Sequence, residues 1–407
     1  MSLFQRSASL PDVLPYGSFI ADGVCEMRGL GVMIGLKMTG LSPEGDPPDE
    51  VVAARDQLSR AMVHLTAGDM IQFIQHRDPA PVPKVSESPY LAVNLVHQEL
   101  LEQFEAQNYW LPPCELYLTH QYETVAKGWA QALLVARQAD KQQVREEVLA
   151  DYALQRFDAY QNSANTGVKL RRMNSEEMFR SLLRCVTYHD YPALLPDSRA
   201  PLNEIIGAER LGSGYVPFMN GFYLRPIVIT LYPTETLPQT LATLQMDSGR
   251  LTISARFICT DHHEFEKALD QKRKAWNRTD FRGWWATIKS CIAQKKIEPT
   301  QDVVEQLTEL DEIAAEASRG QTYGWCTATI IVRDEDPERA EMRVRDILNA
   351  CHSMGLMARA EDFHALEAVK GSWPGNGWSN KRRPMVTADN FADLILPRTP
   401  YLGGQSC

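Results

Sequence analysis

The sequence predicts an α+β fold in two lobes. Three observations predict it. Short stretches in which every second residue is apolar, the period of a half-buried strand, recur along the chain. Capped stretches with apolar residues three and four positions apart, the period of an amphipathic helix, separate them. The same order runs twice, on either side of an irregular proline- and glycine-rich segment at 187–222.

In the first lobe, Val32, Ile34, Leu36 and Met38 share one face of a strand over 30–38. Asp46-Pro47 then opens a helix that carries Val51, Ala54, Leu58, Met62 and Leu65. Gly68 ends it, and DMIQFIQHR reads as a strand. The proline-rich stretch 78–89 is a loop, followed by a helix near 91–109 and a strand at 114–121. A long helix spans 139–164, GVKLRRM is a short strand, and Asn174 caps the helix SEEMFRSLLRCV.

The second lobe repeats the rhythm. RPIVITLYP is a strand, a helix covers 236–246, and Gly249 closes the turn into LTISARFI, whose Leu251, Ile253, Ala255 and Phe257 share a face. Two long helices broken near Pro299 fill 263–319. YGWCTATIIVRD is a strand, Asp336-Pro337 opens a helix with Ala340, Val344, Ile347, Leu348 and Cys351, and LMARAED is the last strand. Strand–helix–strand, insertion, strand–helix–strand is the ferredoxin-like split βαβ order. The expected organisation is therefore a first lobe at 1–186, an inter-lobe segment at 187–222, a second lobe at 223–362 with a helical hairpin at 263–319, and a connector at 363–407.

Composition narrows the function. The chain has 407 residues, 44% hydrophobic and 23% charged, with a formal net charge of −10. A global polyanion binder would be basic, so a nucleic-acid role would need a local patch. One candidate is 267–296, with nine basic side chains against two acids and with Trp276, Phe281, Trp284 and Trp285 interleaved. The following 298–316 carries seven acids and no base. An antiparallel hairpin would lay the acidic arm along the basic one, so the reading is a self-neutralising hairpin; the alternative is a nucleic-acid-binding protein that uses this arm. The eight cysteines are scattered with no C-x-x-C pair, which speaks against a zinc ribbon and suits a reducing compartment. The N-terminus lacks a signal-peptide core, and no apolar run nears the roughly 18 residues of a membrane span.

Chemistry is scarce. RGLGVMIGLKMTG holds glycines and Lys37, but Gly31 and Gly35 are too close for G-x-x-x-x-G-K-[ST], and the alternation makes this a strand. Asp261-His262-His263-Glu264 has the spacing of a helix cap rather than a metal cluster. No catalytic residue, cofactor-binding residue or metal ligand is assigned.

The most unusual stretch is KGSWPGNGWSNKRRP, residues 370–384. Trp373-Pro374-Gly375-Asn376 and Trp378 describe a turn-rich segment pinned by aromatics, with Asn380, Arg382 and Arg383 beyond it. One tryptophan should pack on the second lobe, and the two arginines should face outward. This segment, with Asn390-Phe391-Ala392 and Leu396-Pro397 after it, resembles the TrbE/CagE (VirB-type) class of type IV secretion ATPases. The blocks LPYGSFIADGVCEMRGLGVMIGLKMTG, LTAGDMIQFIQHR and GVKLRRMNSEEMF are similar to that family as well. The resemblance implies the N-terminal portion of such an ATPase. Its RecA-like motor, with the sites for ATP and magnesium, would lie beyond this chain. It also implies self-association into dimers or hexamers, docking to inner-membrane channel components, and a peripheral place at the cytoplasmic face of the bacterial inner membrane. Nucleic acid is not an expected partner.

Overall fold

A computed structural model describes residues 9–28, 31–41, 47–78, 88–107, 114–121, 143–165, 167–197, 200–212, 216–233, 236–241, 244, 249–260, 267, 322–379 and 382–398. The class is α+β, as the alternation predicts: one large antiparallel sheet with helices on both faces. The expected hairpin at 263–319 and the basic arm at 267–296 fall outside these residues, apart from position 267.

The first half contributes β3 (Gly31–Thr39), α2 (Pro48–Ala61), β4 (Asp69–Arg77), α3 (Leu91–Gln107), β5 (Cys114–Gln121), α4 (Gln143–Ala164) and β6 (Lys169–Arg172). Its strands lie in the order β6-β3-β5-β4, every pair antiparallel. The second half contributes β8 (Phe222–Leu231), β9 (Arg250–Cys259), β10 (Tyr323–Asp334), α7 (Pro337–Ser353) and β11 (Met357–Ala360). Its order is β11-β8-β10-β9, again antiparallel. In chain order both are fourth–first–third–second. β4 and β9, the second strand of each half, pair with one another from Met70↔Ile258 to Arg77↔Leu251. The two halves thus share one continuous sheet, related by an approximate twofold at this seam.

Before these come α1 (Leu10–Val13) and a hairpin absent from the sequence reading: β1 (Tyr16–Ala21) and β2 (Val24–Met27), joined by Asp22-Gly23 with Gly23 at φ 68°. An Asp-Gly pair between apolar runs is a known hairpin signal. β2 pairs with β3 along Gly31–Ile34, and β6 takes the rest of the same edge. Between the halves, 187–222 is less irregular than expected. It holds α6 (Leu202–Ile206), whose Leu202 and Ile206 are buried, and β7 (Phe218–Met219). α5 (Ser175–Thr187) begins at Asn174, whose side chain accepts from Glu177 N at 2.8 Å, as its cap position requires. Of the helix expected over 236–246, the described residues show a turn at 238–240 and 3-10 conformation at 241 and 244; Pro238 removes a helical donor.

Each face has its own core. Ile71 and Phe73 of β4, Leu116 and Leu118 of β5, Ile253, Ala255 and Phe257 of β9, and Ala328 and Ile330 of β10 point to one side. There α2, α4, α7 and the terminal α9 (Ala388–Ile395) cover them. Tyr16, Met33, Tyr117, Met178, Leu182, Ile331 and Trp373 form the core of the other side, under α5, α6 and α8 (Ala365–Gly371).

α9 carries a buried carboxylate. Asp393 accepts from Thr236 Oγ1 at 2.5 Å and lies 3.6 Å from Arg55 Nε. Burial raises its pKa to about 6, against the opposing pull of Thr236 and Arg55. The folded chain therefore binds this proton more tightly than the unfolded one. The resulting stability is fully present below the ordinary aspartate range and is lost as pH rises to about 6. Asp393→Asn keeps an acceptor for Thr236. It is expected to stabilise the chain at pH 7 by about 1 kcal/mol and to flatten the pH 4–6 slope, read by urea unfolding. An unchanged slope would show that Asp393 does not titrate there.

Candidate functional site

Residues 371–379 lie across the seam between the halves. α8 ends at Gly371, where Ser372 Oγ donates back to Val369 O at 2.7 Å. Trp373-Pro374-Gly375-Asn376 then reverses the chain. Asn376 N donates to Trp373 O at 3.2 Å, with proline second and glycine third at φ 77°. That is the signature of a type II turn. A β-carbon on Gly375 would also sit 2.2 Å from Met27 Cε, a flexible side-chain end that can shift, so it is the positive φ that calls for glycine. Asn376 Oδ1 accepts from Ser379 N at 3.0 Å and Trp378 N at 3.3 Å, fixing the next bend.

The sheet holds this segment by its backbone. Gln72 of β4 donates to Ser372 O at 2.9 Å and to Ser254 Oγ of β9 at 3.0 Å. Arg256 of β9 donates to the carbonyls of Asn376 and Gly371. Burial lowers the Arg256 pKa to about 10, so its guanidinium stays protonated at neutral pH. Among the described residues no carboxylate pairs with it, and its Nε and Nη2 have no hydrogen-bond partner. The chain then continues along β10: Thr327 Oγ1 donates to Arg382 O at 3.3 Å, and Cys326 N to Pro384 O at 2.8 Å. β12 (Met385–Thr387) pairs with Tyr323–Trp325 and leads into α9.

The expected residues separate into two groups. Trp373, Pro374, Gly375 and Asn376 are buried, and Trp373 is fully enclosed by residues of both halves rather than of the second alone. Trp378 is 55% exposed, and Asn380 lies outside the described residues. Arg383 is exposed, as expected. Arg382 is only partly as expected: its side chain stays 35% exposed, but its Nε pairs with Glu361, a carboxylate 3% exposed that also has Arg359 at 3.5 Å. A buried carboxylate without a cation is costly, and that recruits the nearest arginine. Gln72, Ser254 and Arg256 escape a reading of the sequence because polar residues alternating in a strand look like a solvated face.

Residues 283–382, which include this turn and Arg382, match the family described as "CagE, TrbE, VirB family, component of type IV transporter system". Likeness to TrbE proteins extends well beyond the matched residues. The chain is 25% identical over 425 aligned positions to the conjugal transfer protein TrbE of Rhizobium radiobacter, covering 98% of this chain and 51% of that protein. It is 28% identical over 255 positions to a probable conjugal transfer protein TrbE of Sinorhizobium fredii (strain NBRC 101917 / NGR234), covering 62% of this chain and 37% of that one. The chain thus spans about half the length, or less, of these TrbE relatives. No described helix is long and apolar enough to cross a membrane.

Proposed function

We propose that this chain belongs to the CagE/TrbE/VirB family and is the N-terminal docking and assembly module of a type IV secretion (conjugal transfer) ATPase. In this reading it anchors the motor to the inner-membrane channel complex at the cytoplasmic face and mediates self-association. ATP and magnesium would be handled by the motor portion of the parent protein, not by these residues.

The observation that carries the reading is the seating of 371–379 across the β4–β9 seam, followed by β12 and α9 in the opposite core. Whatever continues from α9 is fixed to both halves at once, as a docking module requires of its motor. α3 supports the docking role as well. Leu91, Leu95, Val96 and Leu100 are exposed on it, an apolar surface of the kind that marks protein contacts.

Arg383 provides the test, because it is exposed and near the seam. Arg383→Ala should change the stability of the 407-residue chain by less than about 1 kcal/mol. In the full-length protein it should reduce both ATP turnover and conjugal transfer. The 407-residue chain itself should release no phosphate from ATP above buffer. Normal turnover and transfer by the full-length variant would refute the coupling role, and phosphate release by the chain alone would refute the division of labour.

A further inference from the structure

The polar face of the sheet holds a second buried cluster, beside α5. His76 of β4, Glu115 of β5 and Cys185 of α5 are all buried, and their donor atoms lie within 4.8 Å of one another. His76 Nε2 is 3.3 Å from Cys185 Sγ. In a tetrahedral zinc site, with Zn–N about 2.0 Å and Zn–S about 2.3 Å, those atoms stand about 3.5 Å apart. On the other side of the ring, His76 Nδ1 lies 3.1 Å from Thr252 Oγ1. With the proton on Nδ1, donated to Thr252, the Nε2 lone pair points into the cluster, which is how outer partners orient ligating histidines. Glu115 is held in the same manner. Arg184 Nη2 donates to its Oε1 at 2.6 Å, and the Ser181 hydroxyl donates to Oε2. The Tyr117 hydroxyl, close to Ser181 Oγ, brings a further oxygen to the same place.

We propose that His76, Glu115 and Cys185 form a buried zinc site that fastens α5 to β4 and β5. An imidazole, a thiolate and a carboxylate together favour Zn(II) over magnesium or calcium, which prefer all-oxygen sites. Binding replaces the Cys185 S–H bond with an S–Zn bond and releases that proton to solvent, with no change of oxidation state. Thiolate and carboxylate then balance the two charges of the ion, while Arg184 remains a partner of Glu115. Ser181 or Tyr117 supplies the fourth oxygen. The three ligands lie far apart in sequence, so no spacing motif announces them.

The test refolds the 407-residue chain with Zn(II), with Co(II), or with a chelator, then removes unbound metal. About one zinc per chain is expected by elemental analysis, with a higher melting temperature than the chelator-refolded sample. The Co(II) form should show a thiolate-to-cobalt charge-transfer band that Cys185→Ser removes. Thr252→Val leaves every ligand in place and should weaken Co(II) binding about 10–100-fold. Zinc content no higher than in the chelator-refolded sample would overturn the proposal, leaving a metal-free hydrogen-bonded network. A cobalt spectrum unaltered by Cys185→Ser would overturn it too. If Cys185→Ser does not fold, zinc content and the Thr252→Val affinity decide, and an unchanged affinity counts against the site.

Discussion

Trp373→Ala is expected to destabilise the chain by about 3–5 kcal/mol, the range for emptying a fully enclosed large aromatic site. The side chain is 0% exposed and belongs to the core on the α5 side of the sheet, together with Met33, Tyr117 and Leu182 of the first half and Ile331 of the second. Those neighbours are anchored in strands and a helix, so they cannot collapse into the cavity. The loss should therefore appear nearly in full in the unfolding free energy. Its indole Nε1 lies near the Tyr188 hydroxyl without a hydrogen bond of good geometry, so Trp373→Phe should retain most of the stability, costing roughly 1–2 kcal/mol. Trp378→Ala, at the exposed end of the same segment, should stay within about 0.5 kcal/mol. Urea titrations of the three variants check this. A Trp373→Ala loss below that of Trp378→Ala would mean that the segment is not seated as described.

Arg256→Ala should cost about 3 kcal/mol or more. It removes charge-assisted bonds to the carbonyls of Gly371 and Asn376, each worth about 1.5–3 kcal/mol, and opens a cavity at the seam. Arg256→Met separates the two contributions. It fills the volume but, like alanine, leaves the carbonyls of Gly371 and Asn376 without their donor, so the difference between the two variants isolates the cavity. The expected outcome is a global stability for Arg256→Met well above that of Arg256→Ala, with faster amide hydrogen exchange confined to 371–379. Equal destabilisation by the two variants would show that the guanidinium, rather than the filled volume, holds the seam together.

Much of this architecture is legible in residue patterns. Leu251, Ile253, Ala255 and Phe257 alternate as one strand face should, and all four lie in the main core. Ala340, Val344, Ile347 and Cys351 have the spacing of one helix face, and all four are buried on α7. The turn chemistry of Pro374-Gly375 is also readable, since few other pairs suit those two positions. The environment of the opposite sheet face is not. Gln72, Arg256, Thr327, Thr329 and Arg333 alternate with apolar neighbours just as solvated residues would, yet all are buried. What covers Gln72 and Arg256 is a segment far along the chain, and no local period records a distant lid. The pairing of Arg382 is hidden for the same reason: its partner Glu361 sits 21 positions earlier, beyond any helical or strand spacing.

The β4–β9 seam has a consequence for the ribosome as much as for the finished protein. Gln72 and Ser254, bonded across it, lie 182 positions apart. At translation speeds of roughly 5–20 residues per second, β4 waits about 10–40 s for its partner strand. Throughout that interval its backbone donors and acceptors form an open edge on a strand that is buried along its whole length in the folded chain, the template from which unwanted pairing between nascent chains begins. A chain interrupted before Arg250 would keep that edge permanently and would aggregate rather than accumulate as a stable half.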